Sequence, residues 1–359
     1  LHSSASPDKT AVISLESPPH LSYLELDKAV DSCVEWLISI GIVSRDILAL
    51  VADNSAATLI IYLACLRAKI IVNPYPTTIE PIELTKYLEL FDVQHLVFPD
   101  NSKFRSILDD LPKSHSYPSD TFIENLVDGK HTARTFFAPT DSPACMYYSS
   151  GTTGSPKGIL YSYKNMTTLA QGIVHGFRFS PKDRHLVILP MGHTAAINYS
   201  LLPSIWLGNT LVLAPSFWAI REQFWELISA HNISYVQTVP TTLFALVHMP
   251  PPQKKPVTLE WIGCGSAPLP LTVQKNFQRL TGIPVGNLYG LSESGPSHID
   301  HPLQPGWVPG SIGFPLSCNS SQIIDEHGSP LPDGVRGEIA LSGPNIFVGY
   351  HKNPSAYRE

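Results

Sequence analysis

The chain has 359 residues, 43% of them hydrophobic and 15% charged, the composition of a folded protein with room for one large domain or two ordinary ones. A net charge of −6 without any Lys/Arg block argues against a nucleic-acid partner. Five scattered cysteines without a C-x-x-C pair argue against a disulfide framework or a cysteine zinc site, and favour a reducing compartment.

The N-terminal LHSSASPDK has no signal-peptide pattern, so a cytoplasmic location is expected. Because it lacks a Met, the chain is expected to begin inside a longer product. Ser22-Tyr-Leu-Glu25 has the spacing of a capping box, with Leu26, Val30, Cys33 and Leu37 as the apolar stripe of the helix behind it. ILALV (47–51) reads as a strand, and Ser55 opens a helix to about Arg67. That helix, AATLIIYLACL, is cut by Arg67 and Lys69 and is too short to span a membrane. IIV (70–72) and HLVF (95–98) read as strands, and 100–140 as a polar surface connection.

Further strands are expected at HLVIL (185–189), TLVL (210–213), SYVQTV (234–239), EWIG (260–263) and VGNLY (285–289), with helical spacing between them, as in 217–230. This alternation predicts an α/β fold of two stacked, doubly wound subdomains over 1–303. From Gln304 short alternating strands (SQIID, GEIAL) predict a small β-barrel-like or hairpin layer over 304–359. His298 and His301, the one tight pair among 14 histidines, read as a solvated loop pair rather than metal ligands.

The chemistry centres on YYSSGTTGSPKGI (147–159). Gly, Ser and Thr let backbone N–H groups converge on an anion, and Lys157 adds a mobile charge. It is not a Walker A loop, because Pro156 and Gly158 occupy the positions of the required Gly and hydroxyl. GCGSAP (263–268) fails as a dinucleotide fingerprint at Pro268. YGLSESG (289–295) fails as a nucleophile elbow at Ser294.

The loop resembles, nearly letter for letter, the signature [ST]-[SG]-G-[ST]-[TS]-G-x-P-K-G of the ANL superfamily: acyl-CoA synthetases, peptide-synthetase adenylation domains and beetle luciferases. Other blocks are similar in the family's order. They are LSYLELDKAV with Gly41, Asp46 and Asn54-Ser55; NPYPTTIEPIEL, preceded by Lys69 where a Gly is usual; LPMGH (189–193); GCGSAPLP; NLYGLSESG (287–295); and GEIALSGPNIFVGY (337–350). Tyr163 departs from the family's S-H-x-N.

The resemblance implies ATP-dependent conversion of a carboxylic acid to an acyl-adenylate and pyrophosphate, then transfer to CoA or the phosphopantetheine of a carrier protein. It places Ser149, Ser150, Gly151, Thr152, Thr153, Gly154 and Lys157 on the β- and γ-phosphates. Tyr289 would stack on adenine, facing Gly265, Ser266, Ala267 and Pro268, with Asn287 and Gly290 in the same block. Ser292 would bond the α-phosphate, Glu293 would hold Mg²⁺, and His193 would gate the acyl pocket.

Amino-acid-specific members carry an Asp about thirteen residues before the equivalent of Gly208. Here that position is Ala195, which cannot pair a buried ammonium, so a fatty or aryl acid is expected instead. The family's small C-terminal domain, with its catalytic lysine, is absent from this chain, which is therefore expected to adenylate weakly by itself. Two alternatives stand beside a CoA ligase: an adenylation domain loading a carrier protein, and a truncated, non-catalytic nucleotide-binding module.

Overall fold

A computed structural model describes residues 2–16, 20–100, 103–107, 114–117, 126, 140–149 and 156–355. Most of the 100–140 connection, and Ser150 through Ser155 of the glycine-rich loop, lie outside the described residues.

Two large mixed sheets carry the architecture. The first runs in the order β15 (Phe314–Pro315), β14 (Gly295–Asp300), β13 (Val285–Leu291), β12 (Ile262–Cys264), β11 (Tyr235–Thr238), β9 (Arg184–Val187), β10 (Thr210–Leu213), β1 (Thr10–Ser14), β2 (Leu21–Ser22). The second runs β18 (Gly349–Tyr350), β8 (Lys157–Ser162), β7 (Pro143–Ser149), β4 (Ile71–Pro76), β3 (Ile47–Ala52), β5 (His95–Pro99), β6 (Ser114–Tyr117). Each sheet is parallel through its middle and antiparallel at one or both edges. This is the expected α/β class, in which helical crossovers link parallel strands.

The local signals explain the elements. Helix Tyr23–Ser39 begins with a complete capping box: Glu25 N–H donates to Ser22 Oγ (3.2 Å) and Ser22 N–H to Glu25 Oε2 (2.7 Å). Helix Ala56–Ala68 is capped by Ser55 and buried on nearly every face, so its uniform apolarity reflects a core position. Arg67, which interrupts that run, bonds Asp27 and Asp31 of the preceding helix, both at 2.6 Å. The segment 217–230 is broken into helix Phe217–Ile220, a 3₁₀ turn Arg221–Gln223 and helix Phe224–Ala230.

Lys69, which ends helix Ala56–Ala68, has φ 62° and ψ 31°, the left-handed conformation that costs a side-chain-bearing residue about 1 kcal/mol. That accounts for the preference for Gly at this position. Lys69→Gly is expected to raise the unfolding free energy by roughly 1 kcal/mol, read as a higher urea midpoint with an unchanged slope.

Of the two forms expected for the layer after Gln304, the structure shows the hairpin-like one. Among the described residues it does not close as a barrel. β16 (Ser320–Ile324) and β17 (Glu338–Ser342) form a two-stranded antiparallel sheet, while β15 joins the first large sheet and β18 the second. The chain therefore returns to both sheets near its end, which brings Tyr350 back to the glycine-rich loop.

His298 and His301 differ from expectation. They are buried, not solvated, with His298 in β14 between Ser297 Oγ (3.0 Å) and Ser321 Oγ (3.1 Å), and His301 Nε2 facing Phe177 O at 3.3 Å. Desolvation lowers both pKa values, keeping the rings neutral packing partners. No group of three potential metal ligands exists among the described residues. All five cysteines are free and buried. No helix among the described residues is long and apolar enough to cross a membrane.

Candidate active site

The sequence-predicted blocks converge where the strand ends of the two sheets meet. Lys157 opens β8, its backbone N–H 3.3 Å from Ser149 Oγ across the mouth of the glycine-rich loop. Its ammonium stands 4.8 Å from the ring centroid of Tyr350, whose hydroxyl donates to Glu293 Oε1 at 3.0 Å. Thus the loop's cation and the Ser292-Glu293 pair, 136 residues apart, are joined through one aromatic ring (293 − 157 = 136). Burial and the neighbouring carboxylate push the Tyr350 phenol up to about 12, so it remains a donor.

The Ser292–Gly295 turn is braced from three sides. Tyr161 in β8 donates its hydroxyl to Ser292 O at 2.8 Å, Asn345 Nδ2 donates to Ser294 O at 2.8 Å, and Phe347 N–H donates to Glu293 O at 2.9 Å. Asn165, two residues after Tyr163, ties the same region by donating to Pro344 O and Ile346 O, both at 2.8 Å. Tyr163 donates to Leu66 O at 2.7 Å and stands outside this network.

A cleft of about 150 Å³ lies beside that turn. On one side Ser266, Gly290 and Ser292 line it; on the other, Thr194, Ala195, Asn198 and Tyr199, from the segment after LPMGH. Ser266 is one of few non-glycine residues with positive φ (69°), a strained conformation of the kind found where backbone must present itself to a ligand. Gly265 is kept small by contact: a Cβ there would lie 3.0 Å from both Leu288 Cβ and Leu288 O. Ala267 and Pro268 are exposed at the rim, next to Ser266.

Other candidates sit apart from the cleft lining. Tyr289 is half-buried and packs edge-to-face on His298 at 5.9 Å. Asn287 is buried, its amide donating to Ser311 O at 2.8 Å, so its side chain is committed to holding that loop. His193, immediately before Thr194, is exposed by area, and desolvation in its crowded surroundings lowers its pKa, leaving a neutral imidazole at neutral pH.

The LPMGH segment is held by a residue to which sequence reasoning assigned no role. Asn54, just beyond β3, donates to Leu189 O (3.0 Å) and Ala214 O (2.9 Å), and its Oδ1 accepts from Met191 N–H (2.8 Å). One amide thus laces the second sheet to the first and fixes the approach to His193. Asn54→Ala leaves two carbonyls and one N–H unsatisfied and is expected to cost about 2–3 kcal/mol in chemical denaturation. Tyr161, Tyr350 and Asn345 were also missed as site residues, although FVGY and GPN are inside matched blocks; only the fold shows that they reach the Ser292–Gly295 turn.

Two mixed α/β sheets with Lys157, the Ser292-Glu293 turn and a small cleft beside it fit the class of AMP-forming ligases, to which the comparisons with known proteins assign the chain. The chain belongs to the AMP-binding enzyme family, whose profile matches residues 2–351. Sulfoacetate–CoA ligase of Cupriavidus necator is 28% identical to it over 363 residues, covering 98% of this chain and 70% of that protein. Oxalate–CoA ligase of Saccharomyces cerevisiae is 27% identical over 306 residues, covering 83% of this chain and 55% of that one. Among solved structures, ATP-bound MatB from Rhodopseudomonas palustris is 25% identical with a TM-score of 0.89, covering 98% of this chain and 71% of that one. A long-chain-fatty-acid–CoA ligase from Archaeoglobus fulgidus, 22% identical, shares the fold with a TM-score of 0.90 over 99% of this chain and 76% of that one.

Proposed function

We propose that this protein activates a short carboxylic acid with ATP, releasing pyrophosphate, and passes the acyl group to CoA. The observation that carries this reading is the cleft shared by Ala195, Ser266, Gly290 and Ser292. It joins the residues expected to hold the nucleotide to the residue expected to face the acid.

The barrier is electrostatic, because a carboxylate must approach a phosphorus surrounded by anionic oxygens. In this reading Lys157 and the loop from Ser149 through Gly154 hold the β- and γ-phosphates. Ser292 donates to the α-phosphate, and Tyr289 with Gly265 to Pro268 flank the adenine. Glu293 suits Mg²⁺, a hard cation that takes carboxylate and phosphate oxygens. Tyr350 steadies that carboxylate by its hydrogen bond and offers its ring face to the Lys157 cation. His193, neutral, stands at the acid entrance.

A short acid fits best, since the cleft holds only about 150 Å³ and part of this space belongs to the nucleotide. Relatives named as ligases of sulfoacetate, oxalate and malonate also take small acids. Ala195 offers no counter-charge for an α-ammonium.

ATP–pyrophosphate exchange with a panel of short, long-chain and α-amino acids tests this, followed by thioester formation with CoA or a pantetheinylated carrier protein. Exchange with short acids and transfer to CoA is expected. Preference for an α-amino acid would sink the reading of Ala195, and preference for the carrier would reassign the acceptor.

A further inference from the structure

The segment after His193 is not a regular helix. Thr194–Ala196 is α-helical, Ile197–Leu201 is a π-helix and Leu202–Leu207 is α-helical again. A π turn inserts one residue and re-aims the side chains around it, a device frequent at functional sites. Here it carries Asn198 and Tyr199 into the cleft lining.

Asn198 is only 3% exposed, yet among the described residues its amide makes no hydrogen bond. The Asn198 amide is not among the buried side-chain atoms that are sealed off without a partner, so its donor and acceptor open onto the cleft, where a ligand can meet them. The amide lies beside the Ser292–Gly295 turn: a Cβ built on Gly295 would be 3.4 Å from Asn198 Nδ2. The open hydrogen-bonding capacity therefore faces the space next to Ser292, where the acid meets the nucleotide in the reading above.

We infer that Asn198 reads a neutral hydrogen-bonding substituent, a hydroxyl, keto or amide group, on a short acyl chain, and that the cleft rejects acids bearing a second negative charge. This rests on the adenylation reading of the cleft. None of the described residues lining it carries a charged side chain. A second carboxylate or sulfonate would surrender its water there without a counter-ion. Asn198, by contrast, can donate to and accept from a neutral group. The inference separates this chain from the relatives named for sulfoacetate, oxalate and malonate.

The test is calorimetric binding of non-reactive acyl-sulfamoyl adenosines with butyryl, 2-hydroxybutyryl, 3-hydroxybutyryl and malonyl tails, alongside adenosine sulfamate. The wild-type chain is expected to bind one hydroxylated tail about tenfold more tightly than butyryl, the effect of a single well-placed hydrogen bond. The malonyl tail is expected to bind more weakly than butyryl. In Asn198→Ala the hydroxyl preference should shrink to within about twofold, and Asn198→Ser, which retains a hydrogen-bonding group, should keep part of it.

Equal binding of hydroxylated and plain tails by wild type, tightest binding of the malonyl tail, or a hydroxyl preference that survives Asn198→Ala overturns the inference. Should Asn198→Ala fail to fold, the wild-type panel and the Ser variant still decide. If adenosine sulfamate and every acyl form fail to bind a chain with native circular dichroism, the adenylation reading itself has failed. Binding of adenosine sulfamate without hydroxyl discrimination is a failure of the Asn198 assignment alone.

Discussion

Glu293→Ala is expected to lower ATP–pyrophosphate exchange at least about a hundredfold while changing unfolding stability little. Removing a preorganised group that acts on transition-state charge costs roughly 10²–10³ in rate, and Glu293 is the carboxylate at the end of the Lys157–Tyr350 link. Among the described residues its side chain makes one hydrogen bond, to Tyr350, while its backbone carbonyl is held separately by Phe347 N–H at 2.9 Å, so truncation should leave the turn in place. Tyr350→Phe removes that hydrogen bond but keeps the ring beneath the lysine, and should cost only about tenfold or less. A graded response identifies Glu293 as acting on the nucleotide and Tyr350 as positioning it. Exchange within about threefold of wild type in Glu293→Ala would remove Glu293 from the proposed machinery.

Gly192→Ala should be among the most destabilising substitutions in the chain. An added Cβ would lie 2.2 Å from both Pro76 N and Tyr75 C, and 2.4 Å from Pro76 Cα. These are backbone atoms at the end of β4, so no rotamer change can relieve the overlap; the LPMGH segment or the strand must move. A cost of about 3 kcal/mol or more is expected, at the upper end for overpacking. Gly41 provides the contrast. It has φ 87° and nothing within 4 Å of an added Cβ, so Gly41→Ala should cost only about 1–2 kcal/mol through backbone conformation. Urea midpoints of the two variants measure the difference, and equal midpoints would refute the contact argument. Because Gly192 precedes His193, a partly folded Gly192→Ala should also lose acid-dependent exchange.

Much of the architecture was legible because its signals are local. Ser22 and Glu25 form their capping box over four residues, Ser55 caps its helix, and apolar runs such as ILALV become strands wherever both faces are covered. The reading failed where an element's partner lies far along the chain. His298 and His301 looked like loop polar residues, yet His298 lies in β14 between β13 and β15, and His301, just past its end, is buried against Trp261. The strands after Gln304 showed alternation, but not that β15 and β18 would each join a different large sheet.

Family and α/β class were legible in the letters alone, as was the expected neighbourhood of the chemistry, because loop and turn motifs are written in contiguous residues. Only the tertiary structure decided which side chains meet. It placed Tyr350 between Lys157 and Glu293, Asn54 behind the LPMGH segment, and Asn198 on a π turn facing the cleft. Those are products of strand pairing and of a single inserted helical residue, and no periodicity along the chain encodes the distance between groups that folding brings together.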